Sequence, residues 1–135
     1  DGTGLECGYA MMLKSRGDNY VLLGWLGVYP NVRGNGIGGK FLSCLREYYS
    51  ALGGILLEVT KYPELEKARK LHAFYQRNGY GDVKCEYILY NEPAALMYLP
   101  IAGPEDISGD IRVIIRGCYL PLYTETKQKQ YIDIK

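Results

Sequence analysis

Residues 32–39 read VRGNGIGG, four glycines in eight positions. They stand between an apolar run, YVLLGWLGVYP (20–30), and a stretch of helical periodicity, KFLSCLREYYSAL (40–52). Glycine loses more conformational freedom on folding than any other residue, so such a cluster answers a geometric need. A strand that passes through a glycine turn into a helix leaves the first N–H groups of that helix pointing outward, at the positive end of the helix dipole. With no Cβ atoms in the way, a bulky anion such as a phosphate can reach them. The rest of the chain has to be read around this strand–turn–helix unit.

GYAMMLK (8–14) and the run 20–30 flank a turn cluster, SRGDN (15–19), and read as an antiparallel hairpin. Phe41, Leu42, Leu45, Tyr48, Tyr49 and Leu52 fall on one face of a helix, with Gly53-Gly54 as its stop. ILLEVT (55–60) reads as a short buried strand. Pro63 suits the start of a second helix, and Glu64 and Glu66 favour its first turn. Leu65, Ala68, Leu71, His72 and Tyr75 share one side of it, and Asn78-Gly79 ends it. DVKCEYILY (82–90) and ALMYLP (95–100) read as strands split by Asn91-Glu92-Pro93. The order β-β-glycine loop-α-β-α-β-β predicts an α/β fold: a mixed, partly parallel sheet flanked by helices. In residues 104–135, Ile111, Ile114, Ile115, Cys118, Tyr119 and Leu122 have helical spacing, while Val113 and the β-branched content leave a strand open. From Thr124 the chain is polar and is expected to fray or lie on the surface.

A chain of 135 residues with 47% apolar side chains suits one domain with a real core. Sixteen basic against 15 acidic residues, a formal charge of +1, give no bulk attraction to nucleic acid. No apolar run approaches the roughly 20 residues of a membrane span, and no signal peptide is visible. Cys7, Cys44, Cys85 and Cys118 are widely spaced with no CxxC pair, which favours free thiols in a reducing cytoplasm. No metal-ligand spacing is present. His72, the lone histidine, suits packing or surface polarity.

Two phosphate-binding patterns overlap in the loop. Gly34, Gly36 and Gly39 satisfy G-x-G-x-x-G, and Glu58 follows about 20 residues later, where a dinucleotide fold places the acid that holds a ribose. The context is wrong for that fold: a hairpin precedes the glycines, and the chain ends before a second mononucleotide half. In another frame, Arg33-Gly34-Asn35-Gly36-Ile37-Gly38 reads R-x-x-G-x-G. With WLGVYPNVRGNGIG (25–38) before it and FYQRNGY (74–80) about 40 residues on, residues 8–100 resemble the GNAT acetyltransferase superfamily.

That resemblance implies a GNAT-like acyl-CoA transferase fold with a core over residues 1–103 and an extension over 104–135. The family's usual first strand, two helices and further strand are missing ahead of the hairpin. The alternatives are a fragment, omitted disordered residues and completion by a partner, and the bare sheet edge makes a homodimer plausible. The implied activity is N-acetyl transfer from acetyl-CoA to a small-molecule or peptide amine, by direct attack in a ternary complex. The alternatives are a CoA-binding module without turnover and a dinucleotide-binding domain. The implied cofactor residues are Val28, Arg33, Gly34, Asn35, Gly36, Ile37, Gly38, Gly39 and Lys40, with the backbone near Val28 on the acetyl carbonyl. Tyr75 is the implied acid that protonates the departing thiolate. Glu58 is the implied base, its structural alternative being a carboxylate paired with Arg69 or Lys61. Cys44, mid-helix, is not expected to carry the acyl group. Ala68 stands where many members have an Asn on the pantetheine arm.

Overall fold

Alternating side chains in residues 8–14 and 20–28 produce an antiparallel hairpin. The computed structural model describes residue 6 and residues 8–15, 19–34, 36–60 and 66–135. In it β1 (Gly8–Lys14) pairs with β2 (Tyr20–Val28). Met11 faces Trp25 and Met12 faces Leu23, so Gly24 is an extra residue, a bulge that bends β2. β2 also runs parallel to β3 (Gly54–Thr60), but only Tyr20–Leu23 pair, with Gly54–Leu57. Beyond the bulge β2 stays with β1, while β3 stays with β6 (Glu92–Pro100) as far as Thr60. A fork therefore opens between residues 25–28 and 58–60.

The expected helix over 40–52 is present as α1 (Ile37–Tyr48), shifted toward the glycine loop. Gly53 and Gly54 do not stop it. They let the chain enter β3 between close neighbours: the Gly53 N–H donates to the Asn19 carbonyl at 2.5 Å, and a Cβ on Gly54 would strike the Tyr98 ring and the Leu99 carbonyl. α2 (Glu66–Arg77) does end at Asn78-Gly79. Gly79 sits at φ 94, its N–H donates to Gln76 and that of Tyr80 to Tyr75, each at 3.1 Å, the double bond of a Schellman cap. The expected start at Pro63, with Glu64 and Leu65, lies outside the described residues, as do the turn at Gly17-Asp18 and Cys7.

The expected strand 82–90 is two short pieces, β4 (Gly81–Asp82) and β5 (Tyr87–Leu89), both antiparallel to β6. The β5–β6 turn falls on Tyr90 and Asn91, at φ 52 and 65, so Glu92 and Pro93 belong to β6. The helical reading of residues 111–122 holds as α3 (Ile111–Tyr119). After Thr124 the chain does lie mostly on the surface, as one of the two expectations had it, but it does not fray: it forms α4 (Glu125–Tyr131) and β7 (Ile132–Ile134), and β7 pairs antiparallel with β5. Buried Gln128 docks the polar helix, its Nε2 donating to the carbonyls of Arg116 and Tyr123 at 3.3 and 3.2 Å.

The sheet runs β1-β2-β3-β6-β5-β7, with β4 also on β6. Strand alternation makes two cores. Val21, Leu23, Ile55, Leu57, Val59 and Met97 pack with Leu42 of α1 and Tyr75 of α2. Leu22, Leu56 and Leu96 pack on the opposite face with Ile111, Ile114, Ile115 and Cys118 of α3. No described helix is long and apolar enough to cross a membrane.

Candidate active site

Two kinds of glycine share the loop. Gly34 and Gly36 lie at φ 87 and 70, and a Cβ on either would meet nothing within 4 Å among the described residues. The chain needs them for the left-handed turn, and the space before them is open. Gly38 and Gly39 instead let α1 approach α2: a Cβ there would come 3.0 Å from Phe74 Cζ and 3.4 Å from Asn78 Oδ1. Their side-chain positions face protein, and their N–H groups lie in the first turn of α1. That turn has no side-chain cap and no acidic residue, and the first helical bond runs from Lys40 N–H to the Gly36 carbonyl at 3.1 Å. Gly36, Ile37, Gly39 and Lys40 line an open hollow that reaches exposed Cys44. Asn35 lies outside the described residues.

Arg33 is exposed, and its Nε donates to the Val28 carbonyl at 2.9 Å, tying the loop back to the end of β2. One of its five donors is therefore structural. Val28 pairs with Gly8 on one side, and beyond Leu23 no β3 residue pairs with β2 on the other.

Tyr75 and Glu58 stand on opposite faces of the sheet. Tyr75 is 8% exposed on the α1–α2 face, its ring 5.3 Å from Phe74 and 5.8 Å from Tyr80. Burial pushes its phenol up. Tyr80 is a buried neighbour whose hydroxyl has no partner among the described residues, its phenol raised chiefly by burial. Glu58 is the first β3 residue past the last pair with β2, on the α3 face. Of the two suggested partners, Lys61 lies outside the described residues and Arg69 is exposed on α2. Tyr119 donates to its Oε1 at 2.7 Å, and Tyr87 donates to its Oε2. Burial raises the Glu58 carboxyl and the two phenol donors draw it back. Burial and the neighbouring Glu58 charge raise both phenols.

Tyr87 and Tyr119 went unread because 14 tyrosines offer no way to choose among them. The available signal was Glu58 itself, a carboxylate on an apolar strand that requires donors. His72 bridges to Asp82 through Nε2 at 2.8 Å, tying α2 to β4. Among the described residues, no group of three His, Cys, Asp or Glu could hold a metal ion.

The glycine turn, the forked strands and the helices on either side define an acyl-CoA transferase architecture. Residues 1–81 match the model of the acetyltransferase (GNAT) domain, and the chain belongs to that family. Solved structures carry the same fold. One, described as a GNAT-family acetyltransferase from Bacteroides thetaiotaomicron, is 24% identical, with a TM-score of 0.72 over 91% of this chain and 69% of its own. Another, described as a streptothricin acetyltransferase from Bacillus anthracis in complex with acetyl coenzyme A, is 20% identical, with a TM-score of 0.56 over 70% of this chain and 55% of its own. A spermidine N-acetyltransferase variant from Vibrio cholerae is 13% identical, with a TM-score of 0.61 over 76% of this chain and 61% of its own. The chain thus spans 55% to 69% of the length of these three structures. No curated protein sequence matches it.

Proposed function

We propose that this chain is an acetyl-CoA-dependent N-acetyltransferase acting on a primary amine by direct transfer in a ternary complex. The observation that carries the reading is the uncapped N-terminus of α1 behind two left-handed glycines with open space before them, beside the fork between β2 and β3. These residues fit the pyrophosphate of acetyl-CoA: free N–H groups, no acidic side chain in the first turn, Lys40 and the remaining donors of Arg33 close by. A relative of the same fold, solved with acetyl coenzyme A, supports the ligand, and one named as a spermidine N-acetyltransferase supports an amine acceptor.

Bound acetyl-CoA supplies an acetyl group activated as a thioester. The chain's residues have four tasks. The first turn of α1 holds the phosphates. The unpaired edge of β2 near Val28 offers N–H groups to the acetyl carbonyl. Tyr75, kept protonated by burial, donates its phenolic proton to the sulfur as it leaves. Glu58, on the other face at the mouth of the fork, takes the proton the acceptor nitrogen must lose. The opposite placement of Tyr75 and Glu58 suits a site entered by the acyl donor from one face and by the acceptor from the other.

Ala68 on α2 offers no polar group to a pantetheine arm, which favours a second reading, a CoA-binding module without turnover. A thermal-shift titration with acetyl-CoA and, in parallel, NAD tests the cofactor assignment, and an amine panel with acetyl-CoA tests turnover. The proposal expects saturable stabilisation by acetyl-CoA alone and acetylation of at least one amine class. Stabilisation without turnover on any amine favours the module, and stabilisation by NAD alone overturns both.

A further inference from the structure

We propose that Tyr87 and Tyr119 are positioning residues for Glu58, so that residues 104–135 help build the acceptor side of the site. The inference deepens the acetyltransferase reading and rests on Glu58 being its base.

The geometry is a clamp. One phenol donates to each carboxylate oxygen, Tyr119 to Oε1 and Tyr87 to Oε2, so the group cannot turn without breaking a bond. A carboxylate has about four acceptor positions, which leaves lone pairs for an ammonium group or a bridging water. Glu58 keeps some exposure, whereas the two phenols that hold it are 3% and 5% exposed.

Neither donor lies in the segment that matches the family model, which ends at residue 81. C-terminal elements brace both. β5, which carries Tyr87, has β7 on its outer side, with Tyr87 opposite Ile134. Tyr119 closes α3 and is stacked by Tyr123, centroids 6.0 Å apart and planes 16° from parallel. Gln128 of α4 ties the Arg116 and Tyr123 carbonyls together, fixing the end of α3. Among the described residues, the groups acting on the Glu58 charge are Tyr87 from β5 and Tyr119 from α3, and the Tyr90 phenol of the β5–β6 turn feels that charge in return. Phenol donors bind the ionised carboxylate, so each keeps Glu58 charged at lower pH than burial alone allows.

The test is an NMR titration of the Glu58 carboxyl carbon in the full chain, with pH–rate profiles beside it. Wild type, Tyr119→Phe, Tyr87→Phe and the exposed control Tyr48→Phe are compared. In each clamp variant the Glu58 midpoint is expected to rise by about one unit, with the acid limb of the rate following it, so turnover on that limb falls roughly tenfold. The KM for acetyl-CoA and the Tyr48→Phe profile should stay at wild-type values. An unmoved midpoint in both phenylalanine variants overturns the clamp, even if Glu58→Gln removes the acid limb and so upholds the base. A moved midpoint, with Glu58→Gln turning over like wild type, rejects the base and with it the clamp's catalytic purpose. Should Tyr87→Phe not fold, Tyr119→Phe decides alone.

Discussion

At the scale of single residues, the proposed chemistry and stability pull against each other at Glu58. Burial raises its carboxyl above the ordinary glutamate value of about 4.5. The fold therefore prefers the protonated form. That preference is fully present below the unfolded value and is lost as pH rises through the folded one. Glu58→Gln keeps the neutral form at every pH. Its melting temperature should exceed that of wild type at neutral pH, and the difference should close as pH falls toward 4.5; a variant less stable at neutral pH contradicts this balance. Tyr75→Phe should cut turnover while acetyl-CoA stabilises the protein as before, which pairs a rate assay with a thermal shift. Tyr80→Phe removes a buried hydroxyl that has no partner among the described residues, so it should leave stability unchanged or raise it by about 1 kcal/mol, read by denaturant unfolding. Glu58 and Tyr75 could be picked out as candidates because each sits in a short pattern to which a chemical role can be attached. The clamp was not, because hydrogen bonds spanning 29 and 61 residues leave no trace in local spacing.

At the scale of elements, the glycine loop divides into glycines that face open space, where the proposed ligand would sit, and glycines that serve packing. Gly36→Glu should abolish stabilisation by acetyl-CoA, since it puts bulk and negative charge before the α1 N-terminus. Its own cost is the left-handed backbone, about 1–2 kcal/mol. Gly38→Leu should act the other way and lower the melting temperature without ligand, because its side chain must displace Phe74. Comparing the two melts with and without acetyl-CoA distinguishes these roles. β1, β2, β3 and the end of α2 could be read from periodicity and caps. The end of α1 could not: Gly53-Gly54 has the composition of a helix stop but serves the close packing of β3 against Asn19 and Tyr98. β7 was illegible because three residues after a polar helix carry no pattern of their own, and pairing with β5 defines the strand.

At the scale of the molecule, the tail closes the sheet. The Glu86 N–H donates to the Lys135 carbonyl at 3.0 Å, the Lys135 N–H donates back at 2.8 Å, and the Tyr90 N–H donates to Tyr131 at 2.7 Å. Deleting residues 132–135 should lower the melting temperature and speed amide exchange at Glu86. Intact protection there would mean that β5 is held by β6 alone. The fork has a mechanical consequence as well. Four residue pairs are the whole join between β2 and β3, so the sheet is two blades on a short pivot, and a small rotation at Leu23 becomes a wide swing at Val28. A molecule that touches both blades works against that swing with the full length of the lever. Its binding should therefore be felt first at the pivot, as slower amide exchange at Leu22, Leu23 and Leu57, residues it never touches.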